Sequence, residues 1–239
     1  MGHEAQPFCM RDETCCVVAT GPSAGSADFS LIRGIATIVV NDAYKLCPWA
    51  DALYACDPDW WTAHIEQVKA KFGGQLWTQD ERAAKKHGLF RICGVANPGL
   101  SRTPGLIHFN SNSGAQAINL ATGWGAKTLI LVGFDMKLEK GRRHFFGDHP
   151  PMVNKSSDYP DWIEKFRHIA KDLKDMGVRV INTSMDSALP YFEKVPCQQL
   201  LASLGTSRST DATPLHQDCG PAGSASSLGA EGNPAQAMS

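Results

Sequence analysis

Ser111–Met136, SNSGAQAINLATGWGAKTLILVGFDM, reads as an amphipathic helix, a short turn and a buried parallel strand that ends at an acidic residue. Ser113 and Gly114 open the helix, where free backbone N–H groups and the positive end of the dipole attract phosphate. Leu129, Ile130, Leu131 and Val132 form an apolar run suited to burial on both faces. The chain leaves that run through Gly133 and delivers Asp135 at the C-terminal edge of the strand, where open α/β sheets bind ligands. The same segment also fits an ordinary core unit in which Ser113 merely caps its helix.

Working outward, the elements alternate. CCVVAT at Cys15–Thr20 is a strand followed at once by the loop GPSAG, and Ala27–Ile32 is a short helix. IATIVV at Ile35–Val40 is a second buried strand with Asn41 and Asp42 as its turn or cap, and ALYAC at Ala52–Cys56 is a third that ends in Asp57-Pro58-Asp59. Trp60–Lys71 continues as a helix with Asp57 or Asp59 near its start. Gln75–Thr78 and Leu89–Ile92 are weaker strands around the charged helix Asp80–His87, and Gly94–Asn110 is a Pro/Gly-rich connection without periodicity. Loops of that length in compact domains are commonly functional rims. Tyr159–Met176 carries apolar residues at Trp162, Ile163, Phe166, Ile169, Ala170 and Leu173, a helical period, and Gly177 stops it before a last strand at Val178–Asn182. The order predicts an α/β, Rossmann-like fold: a largely parallel twisted sheet with helices on both faces. The domain is expected over 15–202, between a flexible leader at 1–14 and a disordered tail at 203–239 that is rich in Gly, Ser, Ala and Pro.

A chain of 239 residues that is 43% apolar supports one sizeable core, and a net charge of −1 supplies no basic excess for a nucleic-acid surface. No run reaches the length of a membrane span, and the N-terminus lacks the order of a signal peptide, so a cytoplasmic protein is expected. The eight cysteines include no CxxC or CxxH pair and read as reduced thiols, with Cys15, Cys16 and Cys56 in buried strands.

Four features should share one rim of a parallel sheet: Gly21-Pro22-Ser23, Asn41, Asp57 and Asp135. Gly-Pro-Ser is a tight turn whose N–H groups and hydroxyl can face a phosphate or ribose, or a plain strand-to-helix turn. GxGxxG and GxxxxGK[ST] are absent, which argues against a nicotinamide or flavin fingerprint and excludes a P-loop; no GxSxG elbow marks a hydrolase. KLEKGRRHFFGDHP at Lys137–Pro150 follows Asp135 directly. Lys137, Arg142 and Arg143 are suited to neutralising a diphosphate, and His149 to acid–base work near neutral pH. A solvated charged loop is the plainer reading. His144, Asp148 and His149 lack a recognised metal-ligand spacing, and no residue is assigned to a metal.

VVATGPSAG, VVND, ACDP, SNSGAQAINLATGWGAKTLILVGFDM and HFFGDHP together resemble, in order, the motifs of a group of proteins. The group comprises bacterial single-domain sialyltransferases, motility-accessory-factor glycosyltransferases, 6-hydroxymethylpterin diphosphokinases and phage proteins, the last most similar in their compact length. The resemblance covers about residues 15–195. It implies a glycosyltransferase-A-like variant of the Rossmann sheet. It puts Gly21, Pro22 and Ser23 at a nucleotide, Asn41 at its phosphate or ribose, Ser113 and Gly114 at a nucleotide sugar, Asp135 beside the base or ribose, and His149 in the role of base. The sialyltransferases hold the leaving phosphate with tyrosines just after the equivalent of Asp135. Met136 and Lys137 stand there in this chain, which leaves Lys137, Arg142, Arg143 or a metal on Asp57 for that task.

The expected activity is glycosyl transfer from a nucleotide sugar to a hydroxyl acceptor, with the donor as the small-molecule partner and no resident cofactor. An ATP- and Mg-dependent diphosphokinase acting on a small hydroxymethyl compound, with Asp57, Asp59 and Asp135 acting together, is the alternative. A catalytically silent nucleotide-binding phage protein, resident in the host cytoplasm, is a third.

Overall fold

The computed structural model describes residues 13–148 and 157–200. Short runs rich in β-branched residues form β1 (Thr14–Val18) and β2 (Ala36–Val40), and the buried run Ala-Leu-Tyr forms β3 (Ala52–Tyr54). Asp57 caps helix α1 (Pro58–Lys71) by accepting from the Asp59 N–H, and Asp80 caps α2 (Glu81–His87) through the Ala83 N–H. These helices alternate with β4 (Gln75–Thr78) and β5 (Phe90–Arg91). After β6 (Cys93–Val95) and β7 (Leu106–His108) come α3 (Ser113–Gly123) and β8 (Thr128–Val132). The described chain then runs through α4 (Tyr159–Asp175), β9 (Arg179–Asn182) and β10 (Glu193–Lys194).

Eight strands form one sheet in the order β10-β9-β8-β1-β2-β3-β4-β5, and every pairing is parallel. The architecture is therefore Rossmann-like α/β, with helices on both faces. Side chains alternate along each strand: Cys15 and Val17 join the layer of α3 and α4, while Cys16 and Val18 join that of α1 and α2. The chain first builds outward from β1 to β5, then returns to lay β8 against the opposite side of β1. That reversal puts the topological switch point between the C-terminal ends of β1 and β8, where doubly wound sheets open a ligand crevice.

Several elements differ from the sequence reading. The stretch 94–110 is not structureless: β6 and β7 pair in a separate two-stranded parallel sheet. Strands of three residues joined through a proline-rich connection leave no periodicity to detect. Ala27–Ile32 is not one helix; 3-10 turns cover Pro22–Ser26 and Phe29–Ile32, the second capped by Asp28. The 3-10 turn Asn41–Lys45 follows β2, and β10 adds a strand with no signal of its own.

Helix α3 is buried from Gly114 to Thr122 rather than amphipathic, and its cap is Asn112, not Ser113. Its polar residues point inward with work to do. Gln116 accepts from the Tyr54 hydroxyl at 2.5 Å and donates to the Phe109 carbonyl. The Asn119 amide accepts from the Ser101 and His108 N–H groups, both at 2.9 Å, and donates to the Ser101 carbonyl at 3.0 Å. One side chain thus ties the 94–110 excursion to the core. Asn119→Ala is expected to cost on the order of 3 kcal/mol, since each orphaned buried group costs about 1–3 kcal/mol. A lowered urea midpoint at unchanged slope would register it. A midpoint within error of the parent would show that the excursion is held by its own packing.

Candidate functional site

A cleft of about 640 Å³ opens at the C-terminal ends of the sheet strands. Gly21 after β1, Asn41 after β2, Asp57 after β3 and Gln79 after β4 all border it, as does Asp135 after β8. The first turns of α3, at Ser113 and Gly114, and of α4, at Tyr159 and Trp162, form further wall, and Lys137, Arg143 and His144 close it from the loop after β8.

The centre is the contact between the loops that leave β1 and β8. The Gly21 N–H donates to the Gly133 carbonyl at 3.0 Å, and Gly133 takes φ +74, a left-handed turn that aims Asp135 back toward β1. Ser23 then binds the carboxylate, Oγ to Oδ2 at 2.9 Å and N–H at 3.3 Å. Ser184, from the segment after β9, reaches the same Ser23 hydroxyl at 2.7 Å. Asp135 is 5% exposed, and its backbone carbonyl accepts from the Ala188 N–H at 2.8 Å. A buried aspartate held at its carboxylate by Ser23 and at its backbone by Ala188 is fixed in direction, which is what a group that orients a ligand requires.

Burial raises the Asp135 carboxyl above the ordinary carboxylate range; the Ser23 bonds pull the other way without cancelling it. The folded chain therefore keeps this proton to a higher pH than the unfolded chain, and stability falls as pH rises through that window. Asp135→Asn retains an oxygen for Ser23 and removes the charge. It is expected to melt higher than the parent at neutral pH and to lose this part of the slope over the pH range above ordinary carboxylate values. Parallel melting profiles for the two proteins over that range would refute the assignment.

Asn41 adopts φ +49, and its side-chain Oδ1 is buried with no hydrogen-bond partner. Strained backbone and an unsatisfied buried acceptor at a cleft wall mark a position shaped for something other than local stability. The Asp57 carboxylate borders the cleft while capping α1. The Ser113 hydroxyl turns to the end of β3, donating to Cys56 Sγ at 2.9 Å and accepting from the Cys56 N–H at 3.3 Å. Cys56 therefore lies beyond its strand, half-buried at the cleft, rather than in the core.

The loop after β8 folds into two tight antiparallel turns, Glu139 with Arg142 and His144 with Gly147. It is anchored by the Phe145 N–H on the Thr20 carbonyl at 3.0 Å. His144 Nδ1 pairs with Thr20 Oγ1 at 2.9 Å, and its ring stacks on Phe146 with centroids 5.1 Å apart. Arg143 reaches Asp148 at 3.6 Å.

Not every candidate residue borders the cleft. Pro22 is buried in its turn, Ser23 stands behind Asp135, and Arg142 is exposed on the outer turn of the loop. His149 and the tail from 203 lie outside the described residues, as does the leader apart from Glu13 and Thr14. Tyr159, Trp162, Thr20 and Ser184 were missed as site residues. Trp162 read as the start of a core stripe and Tyr159 as the first residue of its helix, and a single Thr or Ser carries no pattern. Among the described residues, no three His, Cys, Asp or Glu side chains cluster as a bound metal would require, and no helix is long and apolar enough to cross a membrane.

No protein-family model and no curated protein sequence matches the chain. A solved structure does, that of the sialyltransferase CstII from Campylobacter jejuni in complex with cytidine-5'-monophosphate. It aligns with a TM-score of 0.53 at 13% identity over 78% of this chain and 86% of that one. The fold resembles that of a bacterial sialyltransferase. Two further CstII structures, one with CMP-3FNeuAc and one with a trisaccharide acceptor and CMP, align with TM-scores of 0.48 and 0.47 at 15% and 14% identity. Each covers 77% of this chain and 86% of CstII. At these identities the likeness is one of fold.

Proposed function

We propose that this protein transfers a glycosyl group from a nucleotide sugar to a hydroxyl acceptor. The observation that carries the reading is one cleft at the β1/β8 switch point, which gathers an orphaned Asn41 side-chain carbonyl, a pinned Asp135 and the first turns of α3 and α4. Its volume of about 640 Å³ suits a ligand larger than a mononucleotide's base alone. The sialyltransferase that shares this fold was solved with cytidine-5'-monophosphate, which supports a nucleotide donor here.

In this reading the Asn41 Oδ1 accepts a donor ribose hydroxyl, the only change needed to satisfy it. Gly21 and the backbone N–H groups at Ser113 and Gly114 face the phosphates. Lys137 and Arg143 neutralise the leaving nucleotide phosphate in place of the tyrosines of the sialyltransferases, and Asp135 orients base or ribose. A loop histidine, His149, takes the proton of the acceptor hydroxyl as the bond to the anomeric carbon forms and the phosphate leaves.

A thermal-shift panel of CMP, UDP, GDP, ADP and ATP, with and without Mg²⁺, tests the reading. A nucleotide at 100 times its Kd stabilises the folded state by about 2.7 kcal/mol, a clear rise in Tm. A shift by a pyrimidine or guanine nucleotide that survives chelator is expected. A shift by ATP alone, abolished by chelator, would replace glycosyl transfer with diphosphoryl transfer, for which Asp57, Asp59 and Asp135 are the metal-binding candidates. No shift with any nucleotide would end both.

A further inference from the structure

The 3-10 turn Asn41–Lys45 that follows β2 has two faces. Asn41 borders the cleft, while Asp42 and Lys45, three residues apart, fall in line with each other as so tight a turn requires. Lys45 Nζ meets Asp42 Oδ1 at 2.5 Å. Asp42 Oδ2 accepts from Trp60 Nε1 of α1 at 2.8 Å, and His64 Nε2 of the same helix stands 3.9 Å from Oδ1. Asp42 is 1% exposed. Burial works against its charge, yet the bonds from Lys45 and Trp60, with the fields of Lys45 and His64 added, hold its carboxyl below the ordinary carboxylate range. All four side chains stand outside the cleft wall.

Stability does not account for this pair. A buried carboxylate repays its desolvation poorly, and apolar residues of similar volume often serve a fold as well or better. What the pair adds is direction. Lys45 is exposed beyond its bond to Asp42, and its ammonium stands over the Phe146 ring at 5.4 Å from the centroid, with the Tyr44 ring at 5.8 Å. Phe146 belongs to the loop after β8, and its ring lies 6° from parallel to that of His144. His144 borders the cleft with Nδ1 on Thr20 Oγ1. A line of contacts therefore runs from α1 through Asp42, Lys45 and Phe146 to His144. It joins the turn that carries Asn41 to the loop that carries His144, two parts of the cleft wall that leave β2 and β8 with β1 between them.

We propose that Lys45 is a positioning residue of the cleft: its ammonium, aimed by Asp42, fixes Phe146 and through that ring the plane of His144. A cation over a ring face is drawn to the negative face of the aromatic, an attraction that at an exposed site changes an equilibrium by about two- to fivefold. Removing the charge frees the loop at its Phe146 end without touching a side chain that lines the cleft. The proposal rests on the reading of the cleft as a nucleotide site only where affinity is measured.

Proton NMR of the His144 ring on the full chain tests it without an assay of activity. The ring C–H resonances, assigned by their loss in His144→Gln, are expected upfield in the parent, shifted by the ring current of Phe146. Lys45→Met keeps the stem and removes the charge, and is expected to return them toward the positions of an unstacked histidine. Lys45→Arg, a cation that also reaches carboxylates and stacks on rings, is expected to keep them. Lys45→Met leaves the buried Asp42 without its cation, so the second variant combines Asp42→Asn with Lys45→Gln, an uncharged pair that retains an acceptor for Trp60. Circular dichroism reports the fold of each. Affinity for whichever of CMP, UDP, GDP, ADP and ATP the parent binds is expected to fall about two- to fivefold in the uncharged variants and to match the parent in Lys45→Arg. Upfield shifts kept in a folded uncharged variant overturn the proposal. Shifts lost equally in Lys45→Arg also overturn it, because the contact would then be one of shape and not of charge. So do shifts lost at unchanged nucleotide affinity, since His144 would then be set without consequence for the cleft. If the shifts follow the charge in a chain that binds no nucleotide, Lys45 stands as the group that sets His144, and the nucleotide reading of the cleft falls instead.

Discussion

Gly21→Ala is expected to abolish nucleotide binding and to lower the melting temperature. The backbone conformation is not the reason: Gly21 sits at φ −57, ψ 157, which any residue adopts. The reason is distance. The loops leaving β1 and β8 approach so closely that a Cβ at position 21 would overlap both the Asp135 carboxylate and the Gly133 carbonyl oxygen. Neither can yield cheaply. The carbonyl belongs to a left-handed turn at Gly133, whose own Cβ position is 2.6 Å from the Ala19 carbonyl, and the carboxylate is tethered to Ser23. Relief means parting the two loops, which breaks the Gly21-to-Gly133 hydrogen bond and releases Asp135 from Ser23. Overpacking of this kind costs about 1–3 kcal/mol. The site loses more than the fold does, because the orientation of Asp135 depends on that contact. Gly73→Ala is the control, since a Cβ there meets nothing within 4 Å. Thermal denaturation and nucleotide titration of both variants decide the matter. A folded Gly21→Ala protein that binds nucleotide as the parent does would show that the close approach of the loops does not build the site.

The sheet was legible because its strands carry their signal locally. TCCVV, ATIVV and TLILV are buried on both faces, and runs of that kind between turn residues have few other uses. Helix α1 was legible from the aspartates and proline at its start, and α4 from its apolar period, which Gly177 ends. What failed to show were features made by distant partners. Helix α3 looked amphipathic because Gln116 and Asn119 are polar, yet both are buried, their amides consumed by Tyr54, Phe109, Ser101 and His108. No local pattern tells a solvated amide from a satisfied buried one. The second sheet was hidden for the same cause, three-residue strands held by non-local bonds. At the cleft, the strand-end rule located Gly21, Asn41, Asp57 and Asp135, because parallel strands must end on one edge whatever the sequence between them. Thr20, Ser184 and Tyr159 owe their places to packing between segments far apart in the chain, and sequence spacing does not encode that.

His149→Ala is expected to leave nucleotide affinity nearly intact while lowering turnover by roughly 10²–10⁴, the range for removing a general base. The choice of His149 rests on the resemblance of HFFGDHP to the histidine loop of the sialyltransferases, and the residue lies outside the described part of the chain. Its rival is well placed. His144 borders the cleft with Nδ1 on the Thr20 hydroxyl at 2.9 Å and its ring stacked on Phe146, an arrangement that fixes the imidazole plane. The two differ in what their loss should do. His144 links the loop to the end of β1, so His144→Ala is expected to loosen the loop, raising KM for the donor and lowering Tm, with kcat changed by less than about tenfold. A base, by contrast, acts on kcat and leaves donor affinity alone, and its removal takes away the acid limb of the kcat profile near the ordinary histidine range. Steady-state kinetics of both variants across pH, with the donor that the nucleotide panel selects, therefore separate the roles. If His144→Ala shows the loss in kcat and His149→Ala does not, the base is His144 and Thr20 is what aims it. If neither variant loses kcat, the proton has no histidine to go to, and the metal-dependent diphosphoryl transfer that Asp57, Asp59 and Asp135 would serve becomes the better account of the cleft.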